Sequence, residues 1–435
     1  MLSIILIAAV SAGCNTKPAL VTVEIKVQLM SDSIPFEQAG VPVSLTDAGG
    51  AVTYDSVSDA SGIASFKVTP GAYTASVTYK IVADGKRISF NGSNSNITVT
   101  DQTAGTFKLE LRKVESQQLI IKELYCGGCQ KDDGSGSYIN DSYIIIYNNS
   151  EFEADASDLI IGNIMPYNAE SNSNKYYTSA GLLYESEDWL PAGGAVWYFP
   201  SEIKIPAYSQ IEIAVFSAID HTATVKASVN LSNPSYYWMA NTSIPAFTHA
   251  KHAVSDQIPV SHYLYGLQIN QGTAWTLSTR SPALYIAKMD QAALKALNAD
   301  TAAYDFTAGS NAIGWAMKLP KASVIGAIEV YLASSIETSH PRFPADINTG
   351  YLTMTNNHGY SLYRNVDKEA TEALPENNGK LVYNYSLGTE DVGGSTDPSG
   401  IDAEASIAAG AHILFAQTNN SSKDYHQRKV ASLKK

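Results

Sequence analysis

Two cysteines separated by two glycines, Cys126-Gly127-Gly128-Cys129, are the residues of this 435-residue chain most plainly spaced for chemistry. Two thiols at that separation close a small disulfide ring in an oxidising compartment, and the glycines give the backbone the freedom such a ring needs. Two thiolates at the same spacing also make half of a zinc site, which then needs further ligands. His249, His252 and His262 are the candidates to complete it, since gathered imidazoles suit a transition metal. A disulfide is the ordinary reading of the pair, and no cofactor is assigned. The second candidate set is aromatic: Tyr176 with Tyr177, then Tyr236-Tyr237-Trp238, then Tyr263 and Tyr265. Such rings stack on sugars, aromatic chelators or a partner surface, and adjacent rings on a strand point to opposite faces. Core packing is the competing reading for each of them.

Acidic groups offer less. Asp132-Asp133-Gly134-Ser135-Gly136 with Asp141 supplies oxygen ligands without the spacing of a calcium-binding loop, and reads as a solvated hairpin. Glu185, Glu187 and Asp188 beside Trp189 read as a polar strand end rather than a glycosidase pair. The chain has no G-x-S-x-G, H-E-x-x-H or phosphate loop. It is therefore expected not to be an enzyme.

The elements that must position these residues are strands. Tyr is abundant at 26 residues, and 30 Gly with 17 Pro favour strands and turns over helix. A length of 435 residues exceeds what one core usually holds, so two domains are expected. The net charge of −13 argues against a nucleic-acid partner, because a phosphate backbone needs a basic face. Residues 2–13 form an apolar run too short to span a bilayer but suited to a secretory signal. The run ends in Ser11-Ala12-Gly13-Cys14, which resembles a lipoprotein processing site, so residues 1–14 are expected to be a lipoprotein signal and its processing site, with Cys14 left as the lipidated first residue. An ordinary cleaved signal is the alternative.

Residues 20–113 show short alternating strands at regular spacing: Val21 to Leu29, Gly40 to Leu45, Ile63 to Val68 and Pro70 to Val77. The order GVPVSL, DASGIASFKV, PGAYTASV resembles carboxypeptidase-regulatory and collagen-adhesin B-type modules. That resemblance implies a transthyretin-like or immunoglobulin-like β-sandwich acting as a spacer. Residues 114–118 are the expected joint, and a second domain is expected over 119–435. Its opening strands are Leu119 to Ile121, Tyr143 to Tyr147 (YIIIY) and Leu159 to Gly162. This order resembles the lamin-tail type of immunoglobulin-like fold. Three stretches resemble the hairpins of that fold: Leu190 to Gly194, Ile205 to Gln210, and Ala408 to Ala411. Helix is expected to be scarce, with 290–297 capped by Asp290 as the best candidate. Residues 390–404 are expected to be a mobile surface loop. The fold class is thus mostly β: an N-terminal β-sandwich, then an expanded lamin-tail-like β-sandwich with long loops and few short helices.

Together with Ile219 to Ala223 (IDHTA) and Thr418 to Tyr425 (TNNSSKDY), these points resemble an uncharacterised Bacteroidota lipoprotein family, domain of unknown function 4876. The resemblance implies a body tethered to the outer membrane by its lipid, surface-exposed or periplasm-facing, with a TonB-dependent receptor as partner. The expected function is non-enzymatic ligand capture or transporter assistance in nutrient, metal or metallophore uptake. The alternative is a structural or adhesive cell-surface protein without a small-molecule ligand.

Overall fold

The computed structural model describes residues 21–48, 51–103, 105–170, 175–248, 252–270, 272–307, 314–383 and 395–434. Cys14, His249 and the first part of the expected 390–404 loop lie outside them. The chain is mostly β, with few and short helices, and divides into two compact units. The described part of the first unit is 21–83 and 87–115; that of the second is 84–86 and 116–434, less the gaps above.

The first unit is built on alternation. Val23–Ser31 buries Ile25, Val27 and Leu29 and turns Glu24 and Lys26 outward, as a half-covered strand requires. It pairs antiparallel with Ile63–Val68 and parallel with Thr106–Gln117. The sheet continues through Lys86–Val99, Gly71–Ala83 and Pro42–Asp47 to Thr53–Val57. It wraps a single core of Val27, Leu45, Phe66, Tyr73, Phe90 and Leu109 with their neighbours. In Thr106–Gln117 the apolar Phe107, Leu109 and Leu111 alternate with Lys108, Glu110 and Arg112, whereas Lys86–Val99 is mostly polar.

The second unit is one long sheet folded over on itself. Its path runs from Leu352–Met354 through Val324–Leu332, Ala283–Lys288, Leu159–Ile164, Trp189–Tyr198, Tyr263–Gln268, Tyr237–Met239, Gln210–Ala214, Tyr143–Asn148, Leu119–Tyr125 and Ser361–Arg364 to Tyr425–Arg428. The fold brings Ile144 and Ile146 of one half against Leu284 and Ile286 of the other, around Trp197 and Trp275. All seven residues of Leu119–Tyr125 are buried. That follows from a sheet covered on both faces, which reads in sequence as an unbroken apolar run rather than an alternating one. Leu119, Ile121 and Leu124 face the main core. Ile120 faces a second layer made by Tyr147, Tyr363, Ile413 and Phe415.

Lys122 and Glu123 are buried in the same strand, the first ion-paired and the second hydrogen-bonded. The Lys122 ammonium meets Glu404 at 2.7 Å and Gln210 Oε1 at 2.6 Å, beneath the rings of Tyr147, Tyr363 and Phe415. Burial works to raise the Glu404 pKa, but the Lys122 charge and the Tyr363 hydroxyl outweigh it and hold the carboxyl down to about 2. Glu123 accepts from the Tyr143 hydroxyl at 2.9 Å and from the backbone N–H of Ser432 at 3.0 Å.

Two of the three expected hairpins take other forms. Leu190 to Gly194 lies inside one strand, Trp189–Tyr198. Its first part pairs with Ala316–Pro320 and its last part with Tyr263–Gln268. The register against Leu159–Ile164 shifts between Ile161 and Asn163, so the glycines form a bulge at which the strand changes partner. Gly194 has φ +71°, and an added Cβ would lie 2.6 Å from Trp275, so only glycine fits. Ala408 to Ala411 ends the helix Ala403–Ala408: Gly410 takes φ +82°, and the N–H groups of Gly410 and Ala411 close on Ile407 and Ser406. Ile205 to Gln210 does turn the chain between two strands, with Tyr208 at φ +52°. The helix expected near 290 is Gln291–Ala299, capped by the Asp290 side chain. The described part of the 390–404 segment is held inward rather than solvated: Asp397 and Ser399 are buried, and Asp397 accepts from the Val366 N–H at 2.9 Å.

Candidate functional site

One end of the second unit carries the functional candidates. The strand Tyr143–Asn148 begins there, opposite the end of Gln210–Ala214, because Tyr143 pairs with Ala214. In the other half of the folded sheet, Leu159–Ile164 ends there and Ala283–Lys288 begins, with Asn163 paired to Leu284. The segments that leave these strand ends, 139–142, 165–167, 215–216 and 274–279, converge over the gap between the two halves. They enclose a cavity of about 240 Å³. Its walls are Ile139, Val215, Phe216 and Leu277, with Tyr167 at the rim, and Ser142, Thr276 and Thr279 add hydroxyls. Tyr167 is 42% exposed, and its hydroxyl meets Thr276 Oγ1 at 2.9 Å. The mouth of a closed or folded sheet is a recurrent place for a ligand, because loops can vary there without disturbing the strands.

Tyr167 is set by a buried ion pair behind it. Arg342 and Glu329, both almost fully buried, meet through Nε at 2.9 Å and Nη2 at 2.6 Å on Glu329 Oε1. Arg342 Nη1 then donates to the carbonyls of Ser281 at 2.8 Å, Pro166 at 3.2 Å and Tyr167 at 3.3 Å. A planar guanidinium with five donors suits this task of pinning three segments at once.

A second cavity of about 460 Å³ opens beside Ser228, Lys226, Asn230, Tyr236 and Leu433. Asp141 stands between the two. Its neighbours Asn140 and Ser142 line the first cavity, while Ser228, which lines the second, donates to its Oδ2 at 2.5 Å. Tyr125 Oη also donates to that oxygen at 3.1 Å, and Cys129 Sγ approaches it at 3.8 Å; Oδ1 has no partner among the described residues. Nearby, His221 Nε2 donates to the Ser217 carbonyl at 3.0 Å. Its Nδ1 is thereby left to accept from the Tyr138 hydroxyl at 2.7 Å. Burial pushes the Asp141 carboxyl up and the His221 imidazole down.

The expected cysteine pair is not bridged. Cys126 and Cys129 are buried free thiols. The turn at Gly127-Gly128, with Gly128 at φ +68°, separates their environments. Cys126 packs in the main core with its Sγ 3.8 Å from Met354 Sδ, while Cys129 faces Asp141. Burial pushes each thiol up to about 12, helped at Cys129 by Asp141, so neither is poised as a thiolate. Among the described residues, no group of three His, Cys, Asp or Glu is placed to hold a metal ion. His252 instead packs on the Phe216 ring at 4.2 Å, and His262 stacks on Tyr237 at 4.3 Å. The acidic loop also turns on itself: Asp133 accepts from the Ser135 N–H at 2.9 Å, and Asp132 from that of Lys226 at 3.0 Å.

The aromatic candidates are mostly core, and they do not share one surface. Tyr176 is buried against Tyr184, with its hydroxyl on Asp305 at 2.8 Å. Tyr177 stacks on His340 at 4.3 Å. Trp238 is buried against Tyr263, and its indole N–H donates to the Phe216 carbonyl at 3.2 Å. Tyr237 packs against Phe199, and Tyr265 is the most exposed of the set. Tyr236 lines the larger of these two cavities. Sequence reasoning missed Tyr167, Phe216, Thr276 and Arg342, none of which sits in a motif.

The fold and site define a class: a two-unit, mostly β protein whose larger sheet folds over and carries a lined cavity at its loop-bearing end. A family model described as "Protein of unknown function (DUF4876)" matches residues 208–399, which include Phe216, Thr276, Glu329 and Arg342. The chain is similar over nearly its whole length to the crystal structure of a DUF4876 family protein from Bacteroides thetaiotaomicron. The identity is 17%, the match covers 93% of this chain and 94% of that one, and the TM-score is 0.60, a likeness of fold. A DUF3823 family protein from Parabacteroides merdae matches at 10% identity over 44% of this chain and 78% of that one, with a TM-score of 0.15. The major pilin SpaD from Corynebacterium diphtheriae matches at 11% identity over 65% and 88%, with a TM-score of 0.18. These two carry no argument about this chain. No curated protein matches it. No helix among the described residues is long and apolar enough to cross a membrane.

Proposed function

We propose that this chain is a DUF4876-type lipoprotein, anchored in the outer membrane through Cys14, whose second unit captures a ligand for uptake without catalysis. A TonB-dependent receptor is the partner that such a role would need. The observation that carries the reading is the cavity at the mouth of the folded sheet, with its rim tyrosine held by a buried ion pair. Rigid support of this kind preorganises a binding site and lowers the ordering cost of binding. The perturbed groups nearby support the same reading, because Cys129, Asp141 and His221 are engaged with protein partners in a buried cluster.

The anchor is tested by growth with a labelled fatty acid: the chain should take up label, and Cys14→Ala should not. The capture role is tested by native mass spectrometry of protein extracted gently from its own membranes. Recovery with a transporter or an added ligand mass is expected. Bare protein, recovered repeatedly with neither, would sink the proposal.

A further inference from the structure

The 240 Å³ cavity has a lining that selects by charge and shape. Among the described residues, none of the lining side chains is ionisable near neutral pH, so a charged ligand would be stripped of water with no counter-charge in the lining itself. The walls offer Ile139, Phe216 and Leu277 on one hand, and the hydroxyls of Ser142, Thr276 and Thr279 with the Asn140 amide on the other. Hydroxyls both donate and accept, so they match a ligand whose own groups do the same. The half-exposed Tyr167 ring adds a flat apolar face with a polar tip. The volume equals about eight waters of liquid, and lies below the 300 Å³ or so at which drug-sized sites begin, so it suits one ring with its substituents. A purely hydrocarbon ring would leave the polar groups of the lining without partners on losing their water.

We infer that this cavity binds a neutral, polyhydroxylated ring, a monosaccharide or the end residue of a neutral glycan, with Tyr167 as the stacking residue. The inference rests on the proposed capture role and names the ligand class for that same site.

The test uses the full chain in detergent micelles, titrated by calorimetry and saturation-transfer NMR. The probes are methyl glucoside, methyl galactoside, methyl mannoside and N-acetylglucosamine, with maltotriose as a short glycan. Glucuronate, glucosamine and cyclohexanol are the charged and hydrocarbon comparators. At least one neutral sugar should bind, and the comparators should not compete. Tyr167→Ala should weaken binding about tenfold, the factor that a loss of about 1.4 kcal/mol gives. Thr279→Val should weaken it too, while Tyr351→Ala, on the ring stacked against Tyr331, should not. Tighter binding of maltotriose would place the ligand at a glycan end, and equal binding would make it the free sugar. The inference is overturned if no neutral sugar binds at about 10 mM, if a charged comparator binds as well, or if Tyr167→Ala has no effect. A non-sugar mass carried by the native protein would overturn this inference and leave the capture role standing. Bare native protein without a transporter would remove both.

Discussion

Glu329→Gln is the sharpest perturbation of the site's support. The substitution preserves shape and removes the charge that faces a guanidinium with no measurable exposure. Removing one partner of a buried pair costs about 3–5 kcal/mol, because the other charge stays buried without compensation. Here Arg342 keeps its bonds to the carbonyls of Ser281, Pro166 and Tyr167, and the new amide oxygen can still accept from the guanidinium, but the amide nitrogen then faces the Arg342 backbone N–H that Glu329 Oε2 accepts. A loss of at least about 3 kcal/mol is therefore expected. With a urea slope of about 3 kcal/mol/M, the midpoint should fall by at least about 1 M. The assay is equilibrium unfolding followed by tryptophan fluorescence, since Trp197 and Trp238 are buried in the same unit. A second variant, Glu329→Leu with Arg342→Met, removes both charges but leaves the carbonyls of Ser281, Pro166 and Tyr167 without that donor, so it should not return to the parent midpoint. A Glu329→Gln midpoint within experimental error of the parent would refute the reasoning. So would a double variant as stable as the parent.

Three further outcomes follow from the structure. His426 is buried, with Nδ1 on Asn365 at 2.7 Å, and burial holds it down to about 3 from 6.5. The unfolded chain protonates it first, so this group's contribution is intact above pH 6.5 and is lost as pH falls towards 3, by about 2 kcal/mol at pH 5. His426→Phe should flatten the change in urea midpoint between pH 7 and pH 5, and an unchanged slope would contradict this. Cys126 and Cys129 should resist iodoacetamide at pH 8 in the native state and take two alkyl groups once unfolded. An intact mass two protons light would show a disulfide instead. Gly194→Ala should cost about 1–3 kcal/mol, from an unfavourable φ of +71° and contact with Trp275. Thermal unfolding would check it, and an unchanged transition temperature would mean the bulge can relax.

The most legible parts of the sequence were those where local pattern and burial agree. Ile144 to Ile146 and Ile160 to Ile161 are strands because both faces of the sheet are covered there, and an unbroken apolar run allows little else. Proline and glycine misled where tertiary pairing reused them. Pro191 and Gly193-Gly194 suggested a hairpin, yet the partner strands Ala316–Pro320 and Tyr263–Gln268 draw the chain through as one bulged strand. Adjacent aromatics misled in the same way: loops folded over the outer face of the sheet and turned Tyr236 and Trp238 into core. The cavity could not be read at all. Ile139, Tyr167, Phe216 and Thr276 lie on four separate segments, and only the sheet topology brings them together. Arg342 stood between two prolines in His340-Pro341-Arg342-Phe343-Pro344, a context that signals a turn and nothing of the carboxylate it meets.

The Glu123–Ser432 link has a temporal side. These residues are 309 positions apart, and the strand Tyr425–Arg428 completes the sheet beside the partner of Leu119–Tyr125. At synthesis rates of about 5–20 residues per second, the first strand waits roughly 15–60 s for the segment that closes over it. Throughout that interval its seven core residues, and the YIIIY run after them, have no finished sheet to join. The chain must therefore be shielded, or kept extended, until its far end emerges. Loss of even the last dozen residues should be felt at the beginning of the body rather than at its edge.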